Sequence, residues 1–152
     1  MKNRFWVVTA DAGRARIYAT DTGADDLRLT ATFDNDAGRQ PGRDQESDRP
    51  GRSFDRFGQG RHAMGKAHSV KEQAEVDFAR ELSRHLTEAR HTGDYQHLIL
   101  IAAPHFLGLL REALDNTVMQ HVTLELDLDL MPFESPDQIR QHLPDHLPTQ
   151  RT

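Results

Sequence analysis

The run Leu98-Ile99-Leu100-Ile101-Ala102-Ala103 limits the fold more than any other stretch, because it is apolar at every position and therefore on both faces of a strand. Such a strand must be covered on each side of its sheet, as central strands of layered α/β domains are. Pro104 ends it, and a helical pattern follows from about His105 to Val118, with Phe106, Leu107, Leu110, Leu114 and Val118 at inward spacing. Val122, Leu124, Leu126, Leu128 and Leu130 then alternate with Thr123, Glu125, Asp127 and Asp129, as in an amphipathic strand. Ser135-Pro136-Asp137-Gln138 opens a short last helix with proline at its first position. Strands separated by helices need crossover connections, so this half predicts parallel pairing.

The amino-terminal part reads differently. Phe5–Ala10 is a buried strand, Asp11-Ala12-Gly13 a short turn and Arg14–Thr20 a returning strand. Leu27, Leu29, Ala31 and Phe33 alternate with polar residues as a third, which completes an antiparallel meander. Further on, Ser69-Val70-Lys71-Glu72 has the form of a capping box. Val70, Ala74, Phe78, Leu82, Leu86 and Ala89 follow as one helical stripe, with Gly93 where a helix-terminating glycine belongs. The expected class is α/β: a mixed five-stranded sheet, antiparallel meander then parallel strands, flanked by helices. One domain over residues 1–143 and a frayed tail over 144–152 are expected, since Pro144 stops the last helix.

Between the third strand and the long helix lies a polar arm, residues 34–68, far beyond the usual connection of roughly 4–6 residues. The arm carries Arg39, Arg43, Arg49, Arg52, Arg56, Arg61 and Lys66 against Asp34, Asp36, Asp44, Glu46, Asp48 and Asp55; from 49 to 66 there are five basic residues and one acid, so that stretch contributes +4 to a chain whose net charge is −5. An acidic body thus presents one basic segment, which suits local contact with phosphates rather than binding by the whole surface. Within it, Gly58-Gln59-Gly60 frees the backbone for close approach to a ligand. Arg49, Arg52, Arg56, Arg61, His62 and Lys66 are the candidate RNA- or partner-binding residues, and Gly58, Gln59 and Gly60 the candidate catalytic ones.

Other constellations carry less. Asp11, Asp127 and Asp129 would serve a two-metal nuclease, but Asp is a common turn residue, and the latter two fall on the polar phase of a strand. The nine histidines show no ligand spacing; His142 and His146 are separated by Pro144. Ser53 and His62 share a loop without a nucleophile elbow. Zero cysteines exclude disulfides and thiolate chemistry. The apolar run near the N-terminus is too short for a signal peptide and none is long enough for a membrane span, so a cytoplasmic protein with no membrane insertion and no cofactor is expected.

Four separated motifs resemble the bacterial host-attachment protein family. They are Asp11-Ala12-Gly13-Arg14-Ala15-Arg16, Asp48-Arg49-Pro50-Gly51-Arg52-Ser53-Phe54-Asp55, Gly60-Arg61-His62-Ala63-Met64 and Phe106-Leu107-Gly108-Leu109-Leu110-Arg111. The element order is also similar to the central domain of archaeal and eukaryotic peptide-release factors and to ribonuclease-H-like folds. In release factors a Gly-Gly-Gln tripeptide in the corresponding arm helps water attack the peptidyl-tRNA ester; the matching place here reads Phe57-Gly58-Gln59-Gly60. The resemblance implies a ribosome- or tRNA/RNA-associated module working through its basic arm. A non-enzymatic factor whose arm meets a protein partner is the alternative, and a metal-dependent nuclease the second alternative.

Overall fold

Phe5–Ala10 (β1) and His97–Ala102 (β4), the two strands that are apolar almost throughout, pair in parallel at the centre of a five-stranded sheet. A computed structural model of the chain describes residues 4–22, 26–35, 60–131 and 135–151, with only the backbone path for 60–69. Arg14–Thr20 (β2) and Arg28–Asp34 (β3) extend the sheet antiparallel on one side of β1, and Val122–Leu126 (β5) pairs in parallel with β4 on the other. The strand order is β3-β2-β1-β4-β5, the mixed sheet expected from the sequence.

Each face of the centre has its own core. Val8, Ala10, Leu98, Leu100 and Ala102 point toward Gly60–His91 (α1), Pro104–Ala113 (α2) and Asn116–Met119 (α3), meeting Phe78, Leu82, Leu86, Phe106, Leu107, Leu110 and Val118. Phe5, Val7, Ile99 and Ile101 face the other way and meet Leu130, Ile139, Leu143 and Leu147 from Pro136–Gln141 (α4) and its flanks. Helix α1 ends as expected. Gly93 takes φ 73°, its N–H donates to the Arg90 carbonyl, and the Asp94 N–H donates to the Ala89 carbonyl, a Schellman arrangement. Ser135 and Gln138 form a reciprocal capping box at α4.

Several expectations are corrected. Helix α1 starts at Gly60 rather than after a cap at Ser69, so 60–68 belong to the helix and not to the arm. Ala63, Met64, Lys66 and Ala67 are good helix formers and the stretch has no proline, so the ~1 kcal/mol penalty of Gly65 does not stop it. The stripe on α1 is buried only from Phe78; Val70, about two turns before the point where the helix joins the core, is 51% exposed. Leu29 is exposed since the β2–β3 pairing shifts between Ile17 and Tyr18, with Thr30 as the extra residue, which puts Leu29 out of phase with Ala31 and Phe33. The helix expected over 105–118 breaks at Leu114, whose ψ of 135° is extended, and restarts at Asn116. Strand β5 stops at Leu126, leaving Leu128 exposed. Beyond Pro144, where fraying is expected, Leu147 is buried.

Leu82 and Ile99 are fully enclosed, one on each side of the sheet system. Truncation of either to Ala is expected to lower unfolding stability by about 2–5 kcal/mol, whereas Leu128→Ala should change it by less than about 0.5 kcal/mol. Urea denaturation of the three variants beside the parent checks this; equal midpoints would show that the faces are misassigned.

Candidate functional site

With both faces covered, the sheet is open to ligands mainly at its ends. At the carboxyl ends of β1 and β4 the chain diverges: β1 turns back into β2, while β4 crosses over through α2 to β5. Such a switch point is where open α/β sheets ordinarily bind ligands. The Ala103 N–H donates to the Ala10 carbonyl and holds the two ends together.

The β1–β2 turn is built around Asp11. Its Oδ1 accepts from the backbone N–H groups of Gly13 and Arg14, both at 2.8 Å, so the carboxylate is used as a turn acceptor. Asn35, the last described residue before Gly60, is locked onto this turn. Its backbone N–H donates to the Gly13 carbonyl at 2.9 Å, and its Nδ2 donates to the carbonyls of Ala12 at 2.9 Å and Ala74 at 3.3 Å. One side chain thereby ties the turn to α1. One residue further along α1, Glu75 is 7% exposed, and its Oε1 lies 3.3 Å from Nε2 of His105, near the start of α2. A buried carboxylate needs a partner, and His105 supplies it from an exposed position. Phe78 and Phe106, their ring centroids 5.7 Å apart, hold α1 against α2 beside this pair.

Of the residues singled out in the sequence, Arg49, Arg52, Arg56, Gly58 and Gln59 lie outside the described residues, as do Ser53 and Phe57. Gly60 is the first residue of α1, and Arg61, His62 and Lys66 follow within its first two turns. Gly60 precedes Glu75 by fifteen positions, so α1 reaches about 22 Å along its axis beyond the Glu75–His105 contact. The nuclease carboxylates are not brought together. Asp11 caps its turn, Asp127 and Asp129 are exposed past the end of β5, and Asp129 accepts from the Met131 N–H. Among the described residues no group of three or more His, Asp or Glu side chains is placed to hold a metal ion.

The groups whose acidity shifts stand at the other end of β4. Burial raises the Tyr95 hydroxyl, against a lowering by Arg90, and Tyr95 donates to the Leu86 carbonyl at 2.8 Å. Burial, then Arg4, then His121 lower His97. Packing accounts for both, and neither marks a site.

The sequence alone assigns no site role to Glu75, His105 or Asn35. Glu75 did leave a signal: it falls in the 75, 78, 79, 82 spacing of the buried face, where a charge is out of place. Its partner, thirty residues away, is visible only in the fold. His105→Ala should destabilise the protein by about 1–3 kcal/mol by leaving a buried carboxylate unpaired. Adding Glu75→Leu should recover much of that loss. A double-mutant cycle by thermal unfolding measures it, and additive effects would mean that the pair is not coupled.

No curated protein matches the chain. A family profile described as a protein required for attachment to host cells matches residues 6–143, a span that takes in the Asp11 turn, Asn35, Glu75 and His105. No described helix is long and apolar enough to cross a membrane. The chain therefore belongs to the family of proteins required for attachment to host cells.

Proposed function

We propose that this host-attachment family protein is a cytoplasmic RNA- or ribosome-associated module, and that the segment between Asn35 and α1 is its working part. The observation that carries the reading is the root of that segment. It leaves from Asn35, fixed by three hydrogen bonds at the carboxyl ends of the parallel strands. The basic stretch of an otherwise acidic chain, +4 over residues 49–66, runs from this segment (Arg49, Arg52 and Arg56 against Asp55) into the first two turns of α1 (Arg61 and Lys66). An acidic body repels polyanions, so approach through residues 49–66 is the orientation that electrostatics favours.

The strand order β3-β2-β1-β4-β5 supports, at the finer level, a ribonuclease-H-like or release-factor-like reading of the fold. On that reading Gly58, Gln59 and Gly60 occupy the place of the release-factor tripeptide. Arg49, Arg52, Arg56, Arg61, His62 and Lys66 would then position the segment on RNA, with peptidyl-tRNA as the substrate class.

Co-sedimentation with ribosomes over a salt series tests the proposal. Binding should fall steeply with salt, and replacing Arg52, Arg56 and Arg61 together with Ala should flatten the log–log slope by roughly 2–3, about one for each lost phosphate contact. Gly58→Val leaves the charge in place; it should keep binding and lose peptide release from ribosomes loaded with peptidyl-tRNA. A wild-type protein that neither binds at low salt nor releases peptide would assign the segment to a protein partner instead.

A further inference from the structure

Leu147 is buried beside Leu124 and Leu126 on the α4 face of the sheet, whereas Arg151 bonds Glu125, whose strand partner Leu100 belongs to the α1–α2 face. The last residues of the chain therefore pass around the edge of β5. Together with Arg111, in the last turn of α2, Arg151 borders a hollow of about 220 Å³ lined also by Thr123, Leu124 and Glu125.

The chemistry of this hollow is specific. Glu125, with 13% of its side chain exposed, accepts from Arg111 Nε through one oxygen and from Arg151 Nη2, at 2.7 Å, through the other. One carboxylate thus fixes two guanidinium groups from different elements. Each guanidinium has five N–H donors and spends one here, and both side chains remain more than half exposed, at 53% and 55%. The trio keeps a net positive charge. Thr123 is the extra residue where the β4–β5 register shifts, and its buried Oγ1 has no partner among the described residues.

We infer that this hollow is an oxyanion site for the phosphate group of a small phosphomonoester. Two forks bordering one space suit a tetrahedral group with several acceptor oxygens, whereas a planar carboxylate is satisfied by a single fork. The Glu125 brace orders both forks in advance and lowers the entropic cost of binding. The site lies on the β5 edge and is independent of the RNA reading.

Inorganic phosphate titrated into ¹⁵N-labelled protein at constant ionic strength tests the inference directly. Saturable shifts are expected at the amides of Thr123, Leu124 and Glu125 and at the Nε groups of Arg111 and Arg151, with adenosine monophosphate competing for the same signals. Arg111→Lys and Arg151→Lys keep the charge but lose the fork, and each should weaken binding by about tenfold or more. Shifts that do not saturate, that chloride reproduces, or that survive both lysine variants unchanged would overturn the inference. So would a single-stranded oligonucleotide without a terminal phosphate that binds these residues more tightly than phosphate does. The wild-type titration decides even if a variant fails to fold.

Discussion

Everything in this fold follows from the need to cover β1 and β4 twice. All six residues of β1 are buried, and so are five of the six in β4. Neither strand can sit at an edge, and neither face can be left to solvent. The amphipathic elements are distributed accordingly: the buried part of α1 with α2 and α3 on one side, α4 and Leu147 on the other, and the more polar β3 and β5 at the margins. Once the faces are occupied, the strand ends and the sheet edges are what remains for contact with other molecules. The Asn35 root lies at one of the ends, and the arginine-lined hollow lies at one of the edges.

The body is arranged to hold that root still. Asp11 satisfies the turn, Asn35 joins the turn to α1, and the Glu75–His105 contact joins α1 to α2. None of these groups is left over for chemistry of its own. This argues for a scaffold whose polar residues position a segment rather than for a pocket in which they react.

Local features were legible in the sequence where local physics decides them. The two apolar strands, the Asp11 turn, the Gly93 helix end and the Ser135 cap each depend on neighbouring residues alone, and each is present. Elsewhere tertiary context overrode the local signal. A capping-box pattern at Ser69 lies within a helix that begins at Gly60, because a cap motif permits a start and does not impose one. One extra residue at Thr30 was enough to turn Leu29 away from the core, and alternation beyond Leu126 did not continue the strand. The Glu75–His105 pair and the Arg111–Glu125–Arg151 cluster join residues far apart in sequence, and no periodicity encodes such pairs.

The central claim is that the body is a scaffold and that function resides in what it holds out. It is tested by replacing residues 36–59 with a flexible glycine–serine linker of about twelve residues, enough to span the roughly 22 Å from the site to the start of α1, and measuring ribosome co-sedimentation at low salt. The account predicts a variant with the parent's unfolding midpoint and ribosome association weakened by the loss of Arg49, Arg52 and Arg56. Association that persists at the parent's level would place the binding surface on the body and contradict it.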